Sequence, residues 1–218
     1  MPKRFELLVF DWDGTLMDST SAIAGCIQAA ARDLGLPVPD HTTASYVIGL
    51  GLKDALAHAV PQLPEADYQK MIDRYRYHFL ARDAEVPLFA GTASMLAVLA
   101  RRDHVLAVAT GKSTKGLERA LQATGIAQYF AATRCADQCS PKPAPDMLNE
   151  LMAEFALAPE ATLMIGDTSH DLQMAANAGV SAVAVSYGAH SRESLVQWNP
   201  LACVETTAEL TEWLKRNA

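Results

Sequence analysis

The stretch Val9-Phe10-Asp11-Trp12-Asp13-Gly14-Thr15 ends an apolar run in two carboxylates one residue apart, followed at once by Gly and Thr. Buried strands do not carry bare charge at their ends unless something positive arrives there. Two more apolar runs end in polar groups: Val105 to Ala109 leads into Thr110-Gly111, and Thr162 to Ile165 leads into Gly166-Asp167, with Asp171 close behind. Lys142 stands in Ser140-Pro141-Lys142-Pro143, a loop ahead of a helix pattern. In an open parallel sheet, ligands sit beyond the carboxyl ends of the strands, so these residues are expected on one rim. Asp11, Asp13, Asp167 and Asp171 would repel one another there, and a hard cation with oxygen ligands is the usual remedy. Magnesium fits, since it is content with a few carboxylates, several waters and a phosphate oxygen.

Such a rim needs a sheet to build it. Phe5 to Phe10 is nearly continuous in apolar residues, as expected of a strand buried on both faces, and comparable runs recur at 105–109, 162–165 and 182–185. Helical periodicity lies between them: Met95, Leu96 and Leu99; Leu117, Ala120 and Leu121; Met147, Leu148, Leu151, Met152 and Phe155. Alternating strands and helices predict an α/β fold with a doubly wound parallel sheet. From about Ser19 to Asp83 only helical stripes follow one another: Ile23, Ile27, Ala31 and Leu34; Leu52, Leu56 and Val60; Tyr68, Met71, Ile72, Tyr75 and Phe79. They read as a small helical bundle inserted after the first strand. The expected division is a core of residues 1–16 and 87–218 and an inserted helical domain of residues 17–86.

Composition excludes several classes. With 218 residues, half apolar, a fifth charged and a net charge of −7, the chain reads as globular, without the clustered Lys and Arg of a nucleic-acid surface. It has no uncharged stretch long enough to span a bilayer and no apolar signal segment at its start. Cys26, Cys135, Cys139 and Cys203 are scattered and read as reduced thiols, which points to a cytoplasmic protein. Neither nucleic acid nor membrane is an expected partner of the chain, read as a monomer or homodimer, and small anionic substrates remain possible. The six histidines show no ligand spacing and read as solvated or structural, and Trp198 and Trp213 read as packing residues.

DWDGT, VATGK, SPKPAPDML and IGDTSHD, in that order, resemble the four motifs of the haloacid dehalogenase-like hydrolases, and with the helical insert the chain resembles their phosphoglycolate phosphatase-like branch. The resemblance implies a Rossmann-like three-layer αβα core carrying a helical cap. It also implies a magnesium-dependent phosphatase acting on a small phosphate monoester, with a phosphomutase or a non-catalytic binding module as alternatives. By this resemblance Asp11 is the nucleophile and Asp13 the general acid and base. Magnesium is held by Asp11, the Asp13 backbone carbonyl and Asp167, with Asp171 behind them. Lys142, Thr110, Gly111 and the Trp12 backbone N–H receive the phosphate. A carboxylate at position 13 argues against dehalogenase, phosphonate hydrolase and ATPase chemistry, the cap lysines Lys53 and Lys70 notwithstanding. Gly111 stands where many such relatives carry Asn. In the cap, Gly49-Leu50-Gly51-Leu52-Lys53 reads either as an ordinary helix–helix turn or as a flexible segment reaching the non-phosphate end of a substrate. Hinges are expected near Met17 to Ser19 and Asp83 to Pro87.

Overall fold

The computed structural model describes residues 4–82 and 86–218. Its six strands, β1 (Leu7–Phe10), β2 (Val105–Thr110), β3 (Ala132–Cys135), β4 (Thr162–Gly166), β5 (Ser181–Val185) and β6 (Ala202–Val204), form one parallel sheet in the order β3-β2-β1-β4-β5-β6. The chain winds outward from β1 in both directions, which makes the carboxyl end of β1 the switch point where α/β sheets bind ligands.

Strand alternation fills two separate cores, because successive side chains point to opposite faces. Leu8 and Phe10 join Leu106, Val108, Leu163 and Ile165 on one face, under α5 (Thr92–Ala100), α6 (Thr114–Thr124) and α10 (Thr207–Asn217). Leu7 and Val9 join Ala107, Ala109 and Met164 on the other, under α7 (Asp146–Phe155) and α8 (Ser169–Asn177). Burial on both faces is why the central strands read as continuous apolar runs. The short helix α9 (Arg192–Val196) covers the β5–β6 edge through Leu195.

Between β1 and α5 lie α1 (Thr20–Asp33), α2 (His41–Tyr46), α3 (Leu52–Ala59) and α4 (Tyr68–Leu80). They enclose an apolar cluster of their own, including Ile23, Ile27, Leu56, Met71 and Phe79. The three stripes expected from periodicity are α1, α3 and α4. The six-residue α2 has no stripe and starts instead on Asp40, whose carboxylate accepts from the Thr43 N–H. β3 and β6 were likewise not expected: each is short, and only Cys135 and Val204 in them are buried. Trp213 packs against the sheet core as expected, whereas Trp198 is 39% exposed and is no packing residue. Of the second expected hinge, residues 83–85 lie outside the described residues. No helix among the described residues is long and apolar enough to cross a membrane.

Leu56 is fully buried in the helical insert, and Leu201 is 42% exposed. Leu56→Ala is therefore expected to cost about 2–5 kcal/mol, read from the midpoint of urea unfolding, and Leu201→Ala within about 0.5 kcal/mol. Equal losses would mean that the insert lacks a close-packed core.

Candidate active site

Because β1 lies between β2 and β4, the loops leaving these three strands share one rim. Asp11, Asp13, Thr110, Asp167 and Asp171 are all buried there, and Lys142 reaches in from the loop before α7 with only 2% of its surface exposed. Lys142 Nζ donates to Asp11 Oδ1 at 2.5 Å and to Asp171 Oδ1 at 2.6 Å. The other Asp171 oxygen accepts from Thr168 N and Oγ1 at 3.0 and 2.7 Å, completing a capping box at the start of α8. Both Asp171 oxygens are thus committed, one to the lysine and one to the helix.

Asp167 is gripped from two loops, Oδ1 accepting from Thr15 Oγ1 at 2.8 Å and Oδ2 from Ala189 N at 2.7 Å. The turn after β1 passes so close that a Cβ on Gly14, whose φ is +86°, would stand 2.1 Å from Asp167 Oδ2. Only glycine fits there. Asp13 Oδ1 accepts from Ser19 Oγ at 2.7 Å and pairs with Lys112 Nζ at 3.0 Å. Ser19 precedes α1 yet caps no helix N–H with its side chain, its hydroxyl being spent on Asp13. The Thr110 hydroxyl accepts from Lys112 N at 3.1 Å, which fixes its direction on the rim. The Trp12 ring turns away into the core, edge-on to Phe130, so any contact of this residue with a phosphate has to come from the backbone.

The electrostatics are those of an overloaded site. Burial raises the Asp11 carboxyl well above its usual value; Lys142 pulls it down, while Asp171 and Asp167 push it further up. Burial and Asp171 push Asp167 up to about 7. Burial alone would lower the Lys142 ammonium, but Asp11 and Asp171 outweigh it and hold the group above the usual lysine value. Asp11, Asp167 and Asp171 bring oxygens within 4.8 Å of one another, and Asp11 Oδ2 is buried without a hydrogen-bond partner. An orphaned carboxylate oxygen in a three-carboxylate cluster fits a hard divalent cation. Asp13 does not belong to that group by its side chain, which faces Ser19 and Lys112 instead.

The helical insert rests directly on this rim. A Cβ on Gly111 would stand 2.5 Å from the Leu50 carbonyl oxygen and 2.6 Å from that of Gly49, so the backbone of the insert occupies the space a side chain at position 111 would need. A Cβ on Gly51 would stand 3.3 Å from Pro141 Cβ, and Leu52 and Lys53 form the first turn of α3, so the 49–53 segment is a turn seated on the core that also lines the cavity above Asp11 and Asp13. Lys112 Nζ lies 4.7 Å from the centre of the Phe79 ring of α4. On the far side, His170 Nε2 and His190 Nε2 both lie 2.9 Å from the Tyr46 carbonyl oxygen. His190 Nδ1 accepts from Ser169 N, so Nε2 carries the proton and donates. The structural reading of these two histidines holds.

Thr15, Ser19, Lys112 and Ala189 were missed as site residues. Lys112 stood inside the quoted VATGK motif, and Ala189 follows the fourth apolar run, so extending strand-end inspection to β5 would have found it.

Residues 8–185 match the family model of the haloacid dehalogenase-like hydrolases. The chain is 34% identical to the probable phosphatase IndB of Dickeya dadantii, over 94% of this chain and 91% of that protein. It is 31% identical to the tyrosine-protein kinase PtkA of Mycobacterium tuberculosis, over 95% of this chain and 70% of that one. Among solved structures, one described as a predicted phosphoglycolate phosphatase, from Haemophilus somnus, matches with a TM-score of 0.86 at 26% identity, covering 97% of this chain and 99% of the other. Four motifs at three strand ends and one loop, a helical insert at the same point of the sheet and a family match over most of the length agree: the chain belongs to the haloacid dehalogenase-like hydrolase family, in its phosphoglycolate phosphatase-like branch.

Proposed function

We propose that this protein is a magnesium-dependent phosphatase, a phosphoric monoester hydrolase that cleaves a small phosphorylated metabolite through an aspartyl-phosphate on Asp11. The observation that carries the reading is the buried Asp11–Lys142–Asp171 array, with Asp167 beside it and one Asp11 oxygen left without a partner. A carboxylate attacks a phosphate dianion only if the charge between them is compensated. Held by Asp11, the Asp13 backbone carbonyl and Asp167, magnesium supplies that compensation when bound.

The chain's own residues do the rest. A carboxylate oxygen of Asp11 attacks phosphorus, the ester P–O bond breaks, and the Asp13 carboxyl gives its proton to the departing alkoxide. Asp13, now ionised, takes a proton from water, whose oxygen attacks phosphorus and releases inorganic phosphate, restoring Asp11. Ser19 and Lys112 fix the Asp13 carboxylate for both transfers through its Oδ1. Lys142 neutralises charge on Asp11 and on the phosphate oxygens as the pentavalent arrangement forms. Thr110 and the backbone at Gly111 and Trp12 receive the non-bridging oxygens. IndB and PtkA carry the names of a phosphatase and a kinase, two activities that both move a phosphoryl group.

The test is phosphate release from a panel of phosphate esters with and without magnesium. Asp11→Asn is expected to lower release by at least about 1,000-fold, and EDTA to abolish it until magnesium is restored. An isomerised ester in place of inorganic phosphate would make the protein a mutase.

Asp13→Asn is expected to lower turnover of an unactivated alkyl phosphate by about 100- to 10,000-fold. The loss should be smaller for p-nitrophenyl phosphate, whose leaving group needs no proton, and phosphoenzyme should accumulate. A uniform loss on both esters would remove the acid role.

The raised Asp167 carboxyl also has a consequence for stability. With divalent cations chelated, folded Asp167 keeps its proton up to about 7, whereas the unfolded chain loses it near the ordinary value of 3.8. Between these values unfolding releases a proton, so stability falls as pH rises and is lowest above 7. Melting temperatures in EDTA should therefore drop more steeply from pH 5 to pH 8 in the wild type than in Asp167→Asn, and parallel profiles would contradict the burial of an uncompensated carboxylate.

A further inference from the structure

The space above the carboxylates is much larger than phosphate needs. A chamber of about 910 Å³ opens from Asp11, Asp13 and Thr110 into the helical insert. Pockets of roughly 300–1,000 Å³ enclose most of a drug-sized ligand. The volume does not come from an insert lifted off the core: the Gly49–Leu50 backbone is in van der Waals contact range of Gly111, and Lys112 packs over Phe79. With the insert seated, the chamber remains.

Part of its wall is apolar surface that a short, hydrated acid cannot cover. Ile23, Ile27, Ile48 and Leu80 line it together with Tyr75 and Phe79, whose rings stack 5.7 Å apart at 15°. Apolar walls gain from covering apolar substrate surface, while Lys53, Arg76, Lys112, Lys115 and Arg119 also line the chamber and can meet polar or anionic groups on the same substrate. Aromatic side chains favour flat unsaturated rings in stacked or edge-on contact. The guanidinium of Arg76, which also lines the chamber, suits such a ring and its carbonyl acceptors.

We propose that the alcohol released by this enzyme carries a planar unsaturated ring, which lies in the chamber against Tyr75 and Phe79 while the phosphate sits on Asp11. The proposal rests on the phosphatase reading and narrows its substrate class, favouring ring-bearing esters over two- and three-carbon acids and polar hexoses, which leave the apolar and aromatic wall uncovered. The chamber makes most of its contacts far from phosphorus, and such contacts raise kcat as well as affinity when they strengthen toward the transition state.

The test compares kcat/KM, with magnesium, over primary alkyl phosphates whose leaving groups are of similar basicity. Phosphoglycolate, glycerol 3-phosphate and glucose 6-phosphate stand on one side; nucleoside 5′-monophosphates, flavin mononucleotide and pyridoxal 5′-phosphate stand on the other. At least one ring-bearing ester is expected to exceed all three others by tenfold or more. Filling the chamber by Ile27→Trp, or by Leu80→Trp at a position 52% exposed that carries little of the core, should lower the ring-bearing to phosphoglycolate ratio by at least tenfold. Preference for phosphoglycolate, glycerol 3-phosphate or glucose 6-phosphate overturns the proposal and leaves the phosphatase reading standing. An unchanged ratio in both variants also overturns it. Release from no ester at all overturns the phosphatase reading and the proposal with it.

Discussion

The Lys142 ammonium, with no exposed side-chain surface, lies between the Asp11 and Asp171 carboxylates at 2.5 and 2.6 Å, and much of the molecule is arranged so that this contact can exist. A buried charge costs far more than a surface one unless it is paired and hydrogen-bonded. One lysine cannot neutralise three carboxylates, so Asp11 and Asp167 remain raised and one Asp11 oxygen remains without a partner. The fold supports that imbalance by rigid attachment. Asp11 follows the central strand, Asp167 follows its neighbour, and Asp171 belongs to the first turn of a helix whose capping box it completes. Moving any of the three would require breaking sheet or helix hydrogen bonds.

The same constraint explains how the helical insert meets the core. Close approach of the insert's backbone to Gly111 and of Gly14 to Asp167 leaves no room for side chains at those positions. Lys112 joins the two parts, touching Asp13 on one side and the Phe79 ring on the other. The seating of the insert and the position of the Asp13 carboxylate are therefore tied together through Lys112, while the backbone of the insert covers Gly111.

Much of this was legible in the sequence, for definite physical reasons. Central strands are buried on both faces, so β1, β2, β4 and β5 announced themselves as apolar runs, and the polar residues after three of them were found on one rim. β3 and β6 did not, because edge strands are half-exposed and Ala132 to Cys135 includes Thr and Arg. The helix α2 carries no stripe, and its start is set by a single Asp side chain. Ser19 was hidden for another reason: it sits where an N-cap is expected, and only three-dimensional proximity shows its hydroxyl on Asp13. Ala189 contributes a backbone N–H, which leaves no side-chain signature to read.

Asp171 shows how closely folding and chemistry are joined in this chain. Its Oδ2 satisfies N-terminal groups of α8, and its Oδ1 orients Lys142 toward Asp11. A carboxylate in the first turn of a helix is favoured by the helix dipole, so the negative charge that Lys142 needs is stabilised where it stands, independent of any ligand. The lysine is thereby fixed by the fold itself, between Asp171 on one side and Asp11 on the other. Asp11 and Asp167 lack such a helix turn of their own. They are the raised carboxyls of the site, and Asp11 alone of the two keeps an oxygen without a partner, which is where a cation has most to gain by binding.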